Sequence, residues 1–171
     1  MFDSLGRMQS SAQTETAANS APRVAAGKSC GTCTACCKIT GVQALQKPHG
    51  VWCSHCAIGH GCKIYPQRPD ECRDFYCGWL LNSHMGPELR PDRCHVVLIW
   101  VDDKRVLIAA CDPDHPDAWR APNVLGMLRQ FAIRMAADWK VVVMVGTRKW
   151  LVTERAVLSE AGDAMPLVDL R

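Results

Sequence analysis

The sequence has no long run of hydrophobic residues. No stretch of the 171 residues reaches the roughly 18 consecutive apolar residues of a membrane-spanning helix, so we expect no membrane partner. Residues 1–28 also lack the apolar core of about 7–15 residues that a secretory signal peptide carries. We therefore expect a cytoplasmic protein, in a compartment where disulfides are rarely stable.

Motifs for nucleotide binding and for familiar catalytic sets are absent as well. The sequence has no P-loop or dinucleotide fingerprint, and no Ser/His/Asp set, Cys/His dyad or carboxylate pair at recognisable spacing. The formal net charge of +3 is too small to indicate a nucleic-acid or membrane-surface protein. Positions 120–155 are mostly basic among their charged residues, but no interleaved exposed aromatics are predicted there, which disfavours a nucleic-acid partner.

Cysteine is abundant instead. Nine of the eleven cysteines fall within the 48 residues from Cys30 to Cys77. In a reducing compartment, clustered cysteines are more often metal ligands or redox groups than disulfide partners. The density therefore predicts a metal centre.

The clustered cysteines form two groups along the chain. In the first group a Cys-x2-Cys spacing occurs twice, and such a pair in a turn can aim two sulfurs at one metal ion. The first three ligands of a bacterial ferredoxin cube have the same spacing. Adjacent Cys36 and Cys37 project in different directions, which favours more than one centre, or one centre and a free thiol. The first group comprises Cys30, Cys33, Cys36 and Cys37, and the second comprises Cys53, Cys56, Cys62, Cys72 and Cys77.

Thiolate ligands also require compensating charge. Four thiolates around one Zn²⁺ ion leave a net charge of −2, so we expect cations beside the sulfurs. Arg68, Arg73 and Lys63 are the candidates, because they lie within the second group. Histidine can replace a thiolate at zinc or iron, but sulfur is in surplus, so we interpret the histidines of this segment as solvated loop residues. They are His49, His55 and His60.

The segment from Cys30 to Cys77 resembles a known family. The pattern is Cys30-x2-Cys33-x2-Cys36-Cys37, then Trp52-Cys53-x-His55, then Gly61-Cys62-x-Ile64-Tyr65-x2-Arg68-Pro69-x2-Cys72-Arg73-x-Phe75-x-Cys77. It is similar to that of the CxxCxxCC zinc- or iron-chelating family, also called the YkgJ-like cysteine cluster family. The resemblance implies a metal-chelating domain in which Cys56 is an addition to the usual ligands. The implied ligands are Cys30, Cys33, Cys36, Cys37, Cys53, Cys62, Cys72 and Cys77.

Composition divides the chain into three sections. Residues 1–28 are rich in Ser, Ala, Thr and Gln and are predicted to form a disordered tail. Residues 29–85 contain too few apolar residues for a core of their own and are predicted to form a cysteine cluster module stapled by metal. Residues 86–171 are predicted to form an α+β unit, in one compact domain with the module.

The last section has clear secondary-structure signals. Residues 95–101 and 105–111 are β-rich apolar runs that predict a hairpin, and Cys94 and Cys111, which flank these strands, are predicted to pack in the core. Apolar residues recur at helical spacing from Pro122 to Lys140, and two further strands are predicted at 141–145 and 149–153. We therefore predict the α+β class, with the cysteine-rich module packed on a small ββαββ-like unit of sheet and helix.

Three functions fit these observations. The first is a metal-binding protein without turnover, holding zinc, iron or a 4Fe-4S cluster, since thiolate-rich sites suit all of these. The second is an iron–sulfur enzyme for redox chemistry or methyl transfer, which a similar cluster in flagellin lysine methylases implies. The third is a module with structural zinc that presents the α+β unit to a protein partner.

Overall fold

The computed structural model of the chain describes residues 24–159 and 164–165. Its class is mixed α+β, as predicted. Most of the predicted tail, residues 1–23, lies outside the described residues. The adjoining Val24 packs against the hydrophobic core, and the Ala25 N–H donates to the Leu80 carbonyl at 2.8 Å. In the part of the chain that is described, no helix is long and apolar enough to cross a membrane.

Short elements form the cysteine-rich part of the chain. Four-residue helices and two-residue strands are not stable on their own, so loop contacts must hold this part together. Lys28 provides one such set, since its Nζ donates to the carbonyl oxygens of Trp79, Asn82 and Met85 at 2.9, 2.5 and 2.7 Å. The elements are α1 (Cys36–Ile39), β1 (Cys56–Ala57), β2 (Gly61–Cys62), α2 (Asp70–Arg73), α3 (Gly78–Leu81) and α4 (Pro91–Cys94).

A six-stranded sheet follows. Its strands are β3 (Val96–Val101), β4 (Val106–Cys111), β5 (Lys140–Val145), β6 (Arg148–Val152), β7 (Val157–Ser159) and β8 (Ala164–Met165). They lie side by side in chain order, and all neighbours are antiparallel except β4 and β5, which are parallel. Buried Val141, Val143 and Val145 alternate along β5 with more exposed residues, so one face of this strand is fully covered and the other only partly.

A single long helix, α5 (Pro122–Met135), makes the crossover between the parallel strands β4 and β5. Proline in its first turn lacks the N–H that would have no partner there. Val124, Leu128 and Ala132 recur at intervals of four and are buried, so they form the face that packs on the sheet. The helix ends five residues before the predicted Lys140, because the chain must turn there to enter β5.

One hydrophobic core joins the two parts of the chain. It contains Trp79 and Leu80 from α3 together with Val97 and Leu107 from the central sheet, and the last two are 0% exposed. Helix α3 lies directly on β3, where a Cβ atom built on Gly78 would come within 2.7 Å of the Leu98 Cβ. The cysteine-rich part is thus anchored to the sheet through α3.

Candidate metal centre

One cavity collects the clustered cysteines. Its volume is about 380 Å³, and all nine cysteines from Cys30 to Cys77 contribute to its wall, Cys56 included. Apolar side chains of the shared core, such as Leu80 and Val97, close its inner side. The two sequence groups therefore meet in space. Cys94 and Cys111 do not line this cavity and belong to the hydrophobic core, in agreement with the packing role predicted for them.

A tight turn presents the first two thiols. The Cys33 N–H donates to the Cys30 carbonyl at 2.8 Å, and Gly31 within the turn has a φ of +51°, which glycine adopts without steric cost. Cys36 then begins α1, and Cys37 follows about 100° further around the helix. The side chains of Cys36 and Cys37 nevertheless stay close enough to hydrogen-bond with each other.

A small hairpin positions two further thiols. Strands β1 and β2 pair antiparallel, with Cys56 opposite Cys62. Gly61, immediately before Cys62, has a φ of +117° that residues with a Cβ atom rarely adopt. Glycine at position 61 thus allows the chain to turn back so that Cys62 pairs with Cys56.

The remaining thiols of the second group come from three different segments. Cys53 is tied to the first group, since its N–H donates to the Cys37 carbonyl at 2.9 Å. Cys72 lies in α2, and Cys77 directly precedes α3. The fold thus brings thiols from several short segments to one cavity.

Burial raises the pKa of most of these thiols. The affected residues include Cys30, Cys33, Cys72 and Cys77. Burial also raises the pKa of Cys56 to about 11, and hydrogen bonding with Cys36 together with burial raises that of Cys37 far above its ordinary range. In the metal-free chain these thiols are protonated at neutral pH, so an incoming metal ion must displace their protons.

Electrostatic effects between the thiols indicate two neighbourhoods, which are linked because Cys37 also raises the pKa of Cys30. Beyond the effect of burial, three other thiols raise the pKa of Cys72, and two others raise the pKa of Cys77. The neighbourhood of Cys72, which we call the hairpin set, comprises Cys37, Cys53, Cys62 and Cys72. The neighbourhood of Cys77, which we call the turn set, comprises Cys30, Cys33 and Cys77.

A buried lysine stands beside the hairpin set. Lys47 is 8% exposed, and its Nζ donates to the carbonyl oxygens of Lys38, Thr40 and Pro48. Burial lowers the pKa of Lys47, and the negative charge of nearby thiolates, that of Cys53 first, opposes this lowering. Sequence analysis missed Lys47, because it lies in the loop between the two cysteine groups.

The three cations predicted from the sequence differ in position. Arg68 lines the cavity, where its positive charge counteracts the rise that burial causes in the pKa of Cys30. Arg73 is not part of the cavity wall and pairs with the exposed Asp70 at 3.0 Å. Lys63 is exposed and also lies outside the wall. Of these three cations, Arg68 alone is therefore placed to neutralise thiolate charge in the cavity.

Two of the three histidines in this segment reach the cavity wall, namely His49 and His55. The His49 Nδ1 is occupied, because it accepts a hydrogen bond from the Gly41 N–H at 3.0 Å. His60 does not line the cavity. Among the aromatic residues near the cysteines, Tyr65, Phe75 and Trp79 line the wall, whereas Trp52 does not.

The sulfurs are spread around the cavity. Among the described residues, no three cysteine sulfurs lie within 4.8 Å of one another. Four thiolates on one Zn²⁺ ion, with bonds of about 2.3 Å, would lie only about 3.8 Å apart. The donor set fits a metal centre in number and softness, and its spacing suits a centre of several metal atoms better than one tetrahedral ion.

Comparison with known proteins identifies no relative. No family model, curated protein or solved structure matches the chain.

Proposed function

We propose that the protein is a cytoplasmic metal-binding protein whose cysteine cluster module holds iron–sulfur centres. One observation carries the proposal: nine cysteines from two separate segments line a single cavity of about 380 Å³. Cys94 and Cys111 lie in the hydrophobic core and do not line the cavity, as expected of cysteines that serve only as small apolar residues. Convergence on one cavity is instead typical of ligands.

Eight of the nine thiols divide into two groups of four. The hairpin set supplies one group of four thiols without further assignment. The turn set supplies three, and we assign Cys36 as the fourth from its sequence spacing, which is that of the first three ligands of a ferredoxin cube. Cys36 also lies beside Cys37 and Lys47, so the two groups adjoin at this residue. Cys56 is left as a neighbour of Cys37 and not as a ligand, in keeping with its absence from the usual family pattern.

Iron–sulfur clusters are favoured over zinc by the sulfur spacing. In a cluster each thiolate binds a different metal atom, so the sulfurs stand further apart than on a single ion. The absence of any three described cysteine sulfurs within 4.8 Å of one another agrees with the wider arrangement. A bound cluster accepts and releases single electrons, at a potential set by its charge, hydrogen bonds and exposure.

Each group of four has a cation beside it. Lys47 stands next to the hairpin set, and Arg68 acts on Cys30 of the turn set. Positive charge at these positions offsets the excess negative charge of four thiolates and contributes to the stability of the loaded state.

In this proposal the metal centres also complete the fold. The module has only short elements, and its proposed ligands come from several separate segments. Bound metal would link these segments to one another. Through Cys77, which adjoins α3, it would also link them to the predicted ββαββ-like unit.

The experiment measures the metal content per chain of variants in which one cysteine is replaced. We expect Cys33→Ser and Cys72→Ser each to lose about half of the bound metal, because each removes a ligand from a different group of four. Cys56→Ser is the matched control and should keep all of it. Elemental analysis after anaerobic purification measures the outcome. Full metal content in both Cys33→Ser and Cys72→Ser would overturn the proposal.

A further inference from the structure

Three potential ligands meet at the base of the hairpin formed by β3 and β4. One donor atom from each of His95, Asp112 and His115 lies within 4.8 Å of those of the other two. The two imidazole rings stack, with centroids 3.7 Å apart and an interplanar angle of 20°. None of the three residues lines the cavity that holds the cysteines.

Backbone geometry fixes these residues in place. His95 ends α4 and precedes β3, and Asp112 follows β4, so the pairing of Val96 with Cys111 sets the two side by side. The Asp112 N–H donates to the His95 carbonyl at 2.9 Å, and the His115 N–H donates to the Asp112 carbonyl at 2.9 Å.

His95 has an unusual backbone conformation. Its φ is +57°, in the left-handed region that non-glycine residues seldom occupy. Such positions cluster at functional sites, where the surrounding structure holds them. Here the left-handed residue turns the chain from α4 into β3 and directs the imidazole to the place where His115 stacks on it.

Hydrogen bonds to one of its two oxygens orient the Asp112 carboxylate. Its Oδ1 accepts hydrogen bonds from the Lys38 Nζ at 2.6 Å and from the Asp114 N–H at 3.0 Å. Among the described contacts none involves Oδ2, which leaves this oxygen for a ligand. Hydrogen bonds that fix a carboxylate through its other oxygen are a regular feature of metal sites.

The three residues offer two imidazoles and one carboxylate, a donor set of nitrogen and oxygen that suits Zn²⁺, Fe²⁺ and Co²⁺. Burial, and after it the neighbouring His115, lowers the pKa of His95. Coordination at about 2.0–2.2 Å requires the ion to lie in the plane of each imidazole ring, so the stack must open as the ion binds, and the exposed His115 side chain can make that movement.

We propose that His95, Asp112 and His115 bind one divalent transition-metal ion, at a site separate from the cysteine cavity. Three protein ligands leave coordination positions open for water or a small anion, as in catalytic and transport sites. The site goes beyond the proposed iron–sulfur function and does not depend on it, because it uses no thiolate.

The test is a cobalt titration of the full chain after its cysteine sites have been loaded during anaerobic purification. We expect about one further Co²⁺ per chain to bind, with weak ligand-field bands and without the intense near-ultraviolet absorption of cobalt bound to thiolate. His115→Ala should weaken this binding at least about tenfold, and because His115 is exposed the variant should fold normally. Thermal melting followed by circular dichroism checks the folding.

A control and a clear negative outcome complete the design. His84→Ala removes another exposed histidine outside the site and should bind cobalt like the unmodified chain. Equal cobalt affinity in His115→Ala would overturn the proposal, and so would thiolate absorption from the added ion. The titration reports only the cobalt that is added. Failure of the cysteine sites to bind metal would be seen separately, as a low metal content of the purified protein before the titration.

Discussion

At the scale of single residues, buried lysines distinguish this protein most clearly from an ordinary α+β domain. Lys38 and Lys47 are 6% and 8% exposed, although lysine is almost never fully buried without a partner. Lys38 pairs with Asp112 at 2.6 Å beside the histidine pair, and Lys47 stands beside the hairpin set. Each lysine thus joins a proposed metal site to the surrounding backbone or side chains.

Lys47 gives the first prediction. Replacing it with methionine keeps most of the side-chain length and removes the positive charge beside the thiolates. We expect Lys47→Met to release metal to a chelator about tenfold faster than the unmodified protein, because the thiolate charge is then uncompensated. The release rate is measured by absorption after addition of the chelator.

Lys63→Met is the matched control for this variant. Lys63 lies among the cysteines in the sequence but is exposed and outside the cavity wall. It should release metal at the unmodified rate. Equal release rates for the two variants would contradict the role given to Lys47.

The sequence was sufficient to single out the cysteines that line the cavity, because their number and spacing can be read directly from it. It also indicated Arg68, Arg73 and Lys63, of which only Arg68 lines the wall. Lys47, His95 and His115 were not recognised. Their significance depends on contacts between distant segments, such as the pairing that sets His95 beside Asp112, and a lone histidine in a sequence carries no sign of such a neighbour.

At the scale of elements, α3 determines how the cysteine-rich part sits on the sheet. Gly78 is the first residue of this helix and directly follows Cys77. Its missing side chain allows close contact with Leu98 on β3, which is 2% exposed. Since the Cβ atom of Leu98 cannot rotate away, a larger residue at position 78 must displace α3.

The second prediction uses this contact. Gly78→Ala should destabilise the protein by about 1–3 kcal/mol, as overpacking in a well-packed core does. Gly126→Ala is the control, since a Cβ atom there meets nothing within 4 Å and alanine favours the interior of α5. We expect it to stabilise by about 0.5–1 kcal/mol. Urea unfolding measures both, and the idea fails if Gly78→Ala is as stable as the unmodified protein.

Elements were easier to predict than their arrangement. The hairpin at 96–111 and the long helix follow from apolar runs and from helical spacing, both local signals. The parallel pairing of β4 with β5 and the added strand β7 have no local signal, because they depend on how distant segments meet. The short helices α1 and α2 are only four residues long, since turns among the cysteines interrupt them.

At the scale of the whole molecule, the cysteine cavity and the hydrophobic core are continuous. Trp79 and Val97 belong to both the cavity wall and the core, so a rearrangement of the cavity also changes the packing of the sheet. We therefore expect metal binding and folding to be coupled, with the metal contributing to the stability of the whole described domain. On this account the cysteines both bind the metal and stabilise the fold.

The most direct test of the central claim is the metal content and visible spectrum of the full chain after anaerobic purification. We predict a brown protein that contains iron and acid-labile sulfide in similar amounts, with broad visible absorption that bleaches on reduction. A colourless protein with stoichiometric zinc would contradict the iron–sulfur assignment. A colourless protein with neither iron nor zinc would contradict the metal centre itself.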